Sequence, residues 1–160
     1  GMSMLAKLDE EALADVRNKK LGFVFQDFLL LDGLSVRENI LLPSIIGASI
    51  NDQVEARADQ LCEVFGLSHI KAKYPAEISG GEKQRTAVAR ALINQPLMIL
   101  ADEPTGNLDS KNGQEVMNLL SELNKEGTTI VMVTHSQHDA GFASRTINLF
   151  DGQVVTETLI

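Results

Sequence analysis

Residues 97–109 read LMILADEPTGNLD, and this stretch decides the fold. The run Leu97–Ala101 is short and apolar, which predicts a buried strand, and Asp102 and Glu103 follow it directly. Carboxylates are seldom fully buried, so the strand is expected to end where these two side chains reach a site. Asp102 alone has a plainer interpretation, because it could cap the next helix.

The chain after residue 109 predicts a parallel sheet. A helical pattern with one apolar face ends at Gly127, and the β-branched run Thr128–Thr134 follows it. The order strand, helix, strand is typical of α/β proteins with parallel strands. Two further runs, Leu21–Phe25 and Thr146–Phe150, also predict strands.

Polar residues follow three of these predicted strands. Gln26 follows LGFVF, Asp102 and Glu103 follow LMILA, and His135 follows TTIVMVT. Because the carboxyl ends of parallel strands form the binding crevice of an open sheet, these four side chains are expected to converge on one site. Each residue alone could be a solvated loop residue or a structural one, and only the convergence of three strands indicates function.

The segment between the first two strands predicts helices, and residues 35–95 are interpreted as a helical subdomain. Within it, Ile78-Ser79-Gly80-Gly81-Glu82 opens a helix. Ser79 and Glu82 fit a capping box, which is a complete structural explanation of both. The two glycines have no such explanation. Because glycines have no side chain, the N–H groups at this helix start can approach an anion closely. A phosphate site is therefore the more specific interpretation.

Composition limits the classes of partner. With 14 Lys and Arg against 22 Asp and Glu, the formal net charge is −8, which argues against a nucleic-acid surface, as does an aromatic content of 4%. The longest mostly apolar stretch, residues 40–50, is too short to span a bilayer. Cys62 is the only cysteine and falls in an apolar helical stripe, which predicts a buried thiol.

Four motifs in order resemble those of the ATP-binding-cassette (ABC) transporter ATPases. GFVFQ resembles the Q-loop, ISGGEKQR the signature motif, ILADEPTGNLD the Walker B motif with the D-loop, and VTH the H-loop. FVFQ with LLDGLSVRENILLP, and ADEPTGNLDS, resemble the lipoprotein-release and macrolide-export group of these proteins. The resemblance implies the α/β fold of P-loop NTPases, with a parallel sheet and an inserted helical subdomain.

The resemblance also implies ATP and Mg²⁺ as cofactors and a role for each strand-end residue. Asp102 would hold Mg²⁺ through water, Glu103 would act as general base, and His135 would contact the γ-phosphate. Gln26 would contact the metal or the attacking water and would sense a transmembrane permease. The family therefore places the protein in the cytoplasm, at the inner face of the membrane.

Two ATPase domains of this family pack head to tail. Ser79, Gly80, Gly81 and Glu82 would close over nucleotide held by the second domain, and the D-loop, Asn107-Leu108-Asp109, would cross the interface. Glu82 stands where the family usually has glutamine, and Ile78 where it usually has leucine. Glu82 is expected to turn back into the capping box, because a free carboxylate there would repel phosphate.

No G-x-x-x-x-G-K-[ST] phosphate-binding loop occurs in the 160 residues. We therefore interpret residues 1–160 as one ABC nucleotide-binding domain without its N-terminal P-loop portion, inactive as an ATPase alone. In the family the P-loop strand is expected beside LMILA, so this strand is predicted to be an open edge that promotes self-association. Residues 5–17 predict a helix leading into the first strand.

Two other functions were weighed against a transporter ATPase. A truncated paralogue could be a non-catalytic interaction module, but Glu103 and His135 are both present, which favours an enzyme. A soluble ABC ATPase of DNA repair would carry a long coiled coil, and no sustained heptad pattern separates Gln26 from Ser79.

Overall fold

A three-stranded parallel sheet carries the strand ends that the sequence singles out. The computed structural model describes residues 7–159. The sheet contains β1 (Leu21–Phe25), β2 (Met98–Asp102) and β3 (Thr129–Val133), in the order β1-β2-β3. Phe25, Asp102 and Val133 lie in register at its carboxyl edge. The predicted α/β fold with parallel strands is therefore confirmed. The limits of β1 agree with the prediction, and those of β2 and β3 differ from it by one residue.

Helices precede β1 and fill the long connection from β1 to β2. Helix α1 (Glu10–Lys20) precedes β1, and the predicted start of this helix at residue 5 lies outside the described residues. The connection holds α2 (Val36–Ile46), α3 (Asp52–Val64), two 3-10 turns (Ser68–Ile70 and Pro75–Glu77) and α4 (Gly80–Leu92). The helical interpretation of this segment is therefore confirmed.

Local sequence signals set the helix ends. The Asn51 side chain accepts hydrogen bonds from the N–H groups of Gln53 and Val54 and so caps α3. Gly66 follows the end of that helix with φ +66°, a conformation that glycine adopts without strain. Ser79 and Glu82 form the predicted capping box of α4.

One core joins the sheet to the helices. It includes Val24 and Ile99 from the sheet, Ile40 from α2 and Val88 from α4, each with no exposed surface. Cys62 lies in the same core as a free thiol, as predicted, and burial raises its pKa. Removing these apolar groups from water favours the assembly of sheet and helices.

The remaining elements complete the carboxyl-terminal part. Helix α5 (Ser110–Lys125) joins β2 to β3, and the short α6 (Gln137–Ala140) follows β3. The last two strands, β4 (Arg145–Phe150) and β5 (Gln153–Leu159), pair with each other in an antiparallel hairpin separate from the parallel sheet. Strand β5 was not predicted from the sequence, and β4 was predicted without its partner.

The prediction that LMILA forms an open edge is wrong. Strand β2 pairs with β1 on one side and β3 on the other, so both rows of its backbone hydrogen-bonding groups face a neighbouring strand. Among the described residues, β1 and β3 each have only β2 as a neighbour, so both are edge strands, and β3 is the more exposed of the two. Sequence pattern identified the strands but carried no information on their lateral order.

Candidate functional site

Glu103 and His135 meet at the carboxyl edge of the sheet. Glu103 follows β2, and its N–H donates to the carbonyl of Val133 at 2.9 Å, which ties it to the end of β3. The Glu103 Oε1 accepts from the backbone N–H of His135 at 2.8 Å and lies 3.6 Å from the His135 Nε2. These contacts bring together two of the four residues that sequence predicted to converge.

The two side chains differ sharply in exposure. The Glu103 side chain is 21% exposed, whereas that of His135 is 97% exposed and free to reach a ligand. Thr134 Oγ1 also donates to Glu103 Oε2 at 3.4 Å. Glu103 adopts φ +46°, a strained conformation for a residue with a side chain, and such strain is concentrated at functional sites. The arrangement presents one hydrogen-bonded carboxylate beside an exposed imidazole.

Asp102 is the last residue of β2 and is exposed at the same edge. Among residues 7–159, no group of three or more His, Cys, Asp or Glu is arranged to hold a metal ion. Mg²⁺ at nucleotide sites is commonly bound by only one or two carboxylates together with phosphates and waters. The exposed Asp102 carboxylate fits this type of binding.

Gln26 lies at the same edge but turns toward the D-loop. Its Nε2 donates to Asn107 Oδ1 at 3.3 Å, and Asn107 Nδ2 donates to the Gln26 carbonyl at 3.2 Å. Asn107 Nδ2 also donates to Asp27 Oδ1 at 2.8 Å. Gln26 thus makes its side-chain hydrogen bond to Asn107 and none to Asp102 or Glu103. Its bonds with Asn107 join the segment after β1 to the segment before α5.

The start of α4 has the features of an anion site. Ser79 N–H donates to Glu82 Oε2 at 2.8 Å, and Glu82 N–H donates to Ser79 Oγ at 3.2 Å. These hydrogen bonds, chiefly the one from the backbone of Ser79, lower the pKa of Glu82. Glu82 therefore turns back into the cap, as predicted. Neither bond uses the N–H groups of Gly80 and Gly81.

The D-loop packs against the start of α4 within one chain. A Cβ on Gly80 would lie 3.6 Å from the Leu108 side chain and 3.9 Å from the Asn107 carbonyl. Asp109 caps α5 by accepting from Asn112 N–H at 2.9 Å, and backbone hydrogen bonding lowers its pKa. The residues predicted for the signature and the D-loop therefore form one continuous surface.

Sequence reasoning missed three buried polar residues of α4, Gln84, Thr86 and Arg90. Gln84 is fully buried, and Arg90 is 9% exposed. Gln84 lies four residues before Val88, on the apolar face of the helix, and a polar residue on that face was the signal that could have identified it.

A groove of about 380 Å³ borders the segment after β1. Its lining is largely apolar and comes from α1, β1, α2 and α4, and it includes Phe25, Leu29, Pro43 and Ile46. Leu29 is 55% and Ile46 is 71% exposed, so the groove opens onto an apolar surface.

Within the described part of the chain, no helix has the length and apolar character needed to cross a membrane.

Comparison with known proteins identifies the family. The ABC transporter family model matches residues 5–106. The chain is 48% identical over 151 residues to YvcR, an uncharacterized ABC transporter ATP-binding protein of Bacillus subtilis, covering 94% of this chain and 58% of YvcR. It is 47% identical over 156 residues to the bacitracin export ATP-binding protein BceA of Halalkalibacterium halodurans, covering 97% of this chain and 62% of BceA.

A relative named for both ATP-binding and permease functions, and a solved structure, agree with the assignment to the ABC transporter family. The chain is 45% identical to the macrolide export ATP-binding/permease protein MacB of Aggregatibacter actinomycetemcomitans, covering 95% of this chain and 24% of MacB. A dimeric structure of the ATP-binding cassette MJ0796 in a post-hydrolysis state with ADP and Pi superposes with a TM-score of 0.82 at 41% identity. That match covers 96% of this chain and 68% of the other. The chain thus spans about three fifths of the length of YvcR and BceA.

Proposed function

The chain belongs to the ABC transporter family, and we propose that it is the ATP-binding part of an exporter, coupling ATP binding and hydrolysis to transport. The observation that supports this most is the fixed contact between Glu103 and His135 at the end of β2. Similarity to proteins named for bacitracin and macrolide export favours an exporter. The alternative, a non-catalytic interaction module, has no support among the described residues.

Each strand-end residue has a proposed part in hydrolysis. Glu103 accepts the proton of the attacking water as general base, and its bond to the His135 backbone keeps the carboxylate oriented. The exposed imidazole of His135 contacts the γ-phosphate. Asp102 holds Mg²⁺, which supplies charge stabilisation for phosphoryl transfer when it is bound. Gln26 would contact the metal or the attacking water if its side chain exchanged its hydrogen bond to Asn107 for one of these.

A second ATPase domain completes the proposed site. We propose that residues 1–160 form one nucleotide-binding domain with residues 35–95 as its helical subdomain, and that a P-loop outside these residues holds the phosphates. Ser79, Gly80, Gly81 and Glu82 close over nucleotide bound by the second domain, while Asp109 contributes to the interface. The dimeric form of the similar cassette supports the pairing of two such domains.

The groove beside Leu29 and Ile46 is the proposed docking surface for a transmembrane permease. It is apolar, and it adjoins the segment that contains Gln26. MacB combines ATP-binding and permease functions in its name, which supports such a partner. The proposed location is therefore the cytoplasmic face of the membrane.

Ile46→Glu is expected to abolish co-purification with the permease, whereas Val64→Glu, at a similarly exposed position outside the groove, preserves it. Equal retention by both variants would refute this surface.

The catalytic proposal is tested with the chain extended at its N terminus by a P-loop segment. Glu103→Gln should preserve ATP binding and abolish phosphate release, because the amide keeps the shape of the side chain but cannot accept the proton. ATP should then trap a dimer, detected by light scattering. The 160-residue chain alone should release no phosphate. Normal turnover by the extended variant, or turnover by the short chain that depends on Glu103, would contradict the proposal.

A further inference from the structure

Gln84 of α4 bridges the two strand ends that carry the proposed catalytic residues. Its Nε2 donates to the carbonyl of Phe25 at 3.3 Å and also to the carbonyl of Pro104. Phe25 directly precedes Gln26, and Pro104 directly follows Glu103. We propose that Gln84 is a positioning residue that sets the spacing between Gln26 and Glu103, an inference that rests on the function proposed above.

The chemistry of the amide suits this bridge. A glutamine NH2 group carries two hydrogens in a rigid planar fork, so one side chain can donate to two carbonyls at once. Each accepting carbonyl is within one residue of a proposed catalytic side chain. Because Gln84 is fully buried, water does not compete for these hydrogen bonds. The amide therefore holds both strand ends at a fixed separation.

The oxygen of the same amide makes the bridge unfavourable for the free energy of folding. Gln84 Oε1 is buried and has no hydrogen-bond partner among the described residues. A buried acceptor without a partner loses its hydration without compensation, which disfavours folding. Reversing the amide would place this oxygen against two carbonyl oxygens, so it does not remove the penalty. An apolar side chain of the same size would fill the space without this penalty but could not bridge the carbonyls.

Strained backbone lies on both sides of the bridge. Glu103 has φ +46°, and Phe28 and Leu29, in the segment after β1, have φ +64° and +49°. Residues with side chains keep such conformations only where their surroundings fix them. Helix α4 also fixes the strained backbone of the segment after β1. Its buried Arg90 donates to the carbonyls of Phe28 at 2.7 Å and Leu29 at 2.5 Å.

The bridge gives α4 a way to act on the site. Gly80 and Gly81 begin the helix, and Gln84 lies one turn further along it. A displacement of α4 when its start engages nucleotide is therefore transmitted through Gln84 to the backbone beside Gln26 and Glu103. The signature motif would thus shift the catalytic residues of its own domain together, at a constant spacing, while it binds the nucleotide of the other.

The first test measures the two carbonyls directly in the 160-residue protein. The backbone carbonyl ¹³C shifts of Phe25 and Pro104, read through the amides of Gln26 and Thr105, report their hydrogen bonds. Gln84→Met should move both shifts. Thr86→Val is the matched control, because Thr86 is also fully buried on α4 but donates to the carbonyl of Glu82. It should leave both shifts unchanged. Movement of one carbonyl alone, or of neither, would overturn the bridge.

A measurement on the unmutated protein covers the case in which Gln84→Met does not fold. Both Nε2 protons of Gln84 should exchange slowly with solvent and show couplings across the hydrogen bonds to the Phe25 and Pro104 carbonyl carbons. Exchange at the rate of a free amide would overturn the proposal. Neither test requires nucleotide or activity, so failure of the bridge is distinguishable from failure of the proposed function.

The catalytic consequence is tested in the N-terminally extended protein. Gln84→Met should lower kcat on the order of tenfold to a hundredfold with little change in ATP affinity, since a small displacement of catalytic groups is costly. Thr86→Val should keep kcat near that of the unmutated protein. A loss of ATP binding in proportion to activity, or an unchanged kcat, would refute the positioning role.

Discussion

Two adjacent glycines at the start of α4 differ in how they tolerate a side chain. A Cβ on Gly81 would lie 2.0 Å from Asn112 Oδ1 and 2.6 Å from its Cγ, so any other residue displaces the Asn112 side chain. A Cβ on Gly80 meets only ordinary contacts, the nearest at 3.6 Å. From the sequence, an acidic substitution at Gly81 is a natural test of the signature motif. The structure shows that it would also disturb α5, and it favours Gly80 instead.

Gly80→Asp should separate folding from nucleotide-driven dimerisation. A carboxylate in the first helical turn is favoured by the helix dipole, so the melting temperature should be unchanged or higher. Facing a phosphate at about 4 Å, the same carboxylate costs about 4 kcal/mol at an effective dielectric constant of about 20, which weakens ATP-dependent dimerisation on the order of a thousandfold. Light scattering with ATP measures this in the extended protein carrying Glu103→Gln.

The neutral variant Gly80→Asn is the control for this prediction. It has nearly the same size as aspartate but no charge, so it should retain much more of the dimerisation. Equal loss in both variants would mean that volume, and not charge, is responsible. Full dimerisation of Gly80→Asp would contradict the proposed phosphate contact of the signature motif.

The single-residue interpretation of the site succeeded where the chemistry was local and failed where it depended on distant packing. The cap formed by Ser79 and Glu82 follows from a three-residue spacing and was predicted correctly. The turn of Gln26 toward Asn107 joins residues 81 positions apart in the chain, and no sequence pattern encodes this contact.

At the level of elements, β1 and α4 approach so closely that only glycine fits between them. A Cβ on Gly22 would lie 2.5 Å from the carbonyl oxygen of Ala91 and 3.0 Å from its Cβ. The obstructing atom belongs to helix backbone, which cannot rotate away as a side chain can. This contact fixes the distance between the sheet and the helix that contains Gln84.

Gly22→Ala should therefore destabilise the protein by about 1–3 kcal/mol, the usual cost of adding volume to a well-packed core. Denaturant unfolding monitored by circular dichroism measures the change. Gly33→Ala is the control, because a Cβ there has no atom within 4 Å and φ is not in the left-handed region. Equal stability of the Gly22 variant and the unmutated protein would show that α4 can move away from β1.

The secondary structure was predicted well for elements with strong periodicity and poorly for the hairpin at the end. Apolar spacing predicted α3 and α5, and β-branched runs predicted β3 and β4. Strand β5 was missed although Asp151 and Gly152, with φ +47° and +74°, form the type of turn that joins hairpin strands. Its exposed apolar residues, including Val154 and Val155, lack the alternation that marks a half-buried strand.

At the level of the whole molecule, β3 is the more exposed of the two edge strands, β1 and β3, of the described sheet. Its residues Val131 and Val133 are 47% and 57% exposed, and no charged residue or proline lies within Thr129–Val133. Charged residues and proline are the usual features that prevent edge-to-edge pairing, and β3 has neither. The self-association predicted from the sequence is therefore expected through β3 and not through LMILA.

Val131→Lys should reduce self-association of the 160-residue chain. A lysine on an edge strand disfavours pairing with a second chain because its charge would be desolvated there. Static light scattering over a range of concentrations measures the change in mean mass. Asn118→Lys adds the same charge on the exposed surface of α5 and should leave association unchanged. A chain that is monomeric without substitution, or equal effects of the two lysines, would contradict this role of β3.

The sheet order has a consequence for how the chain folds as it is synthesised. Among the described strands, β1 pairs only with β2, and Leu21 is paired with Met98. At about 5–20 residues per second, the ribosome needs about 4–15 s to extend the nascent chain from one to the other. During this interval the apolar segment LGFVF has no partner strand among the described residues, where α1 and the growing helical segment can cover it. Any chaperone that protects this protein is needed most in that window.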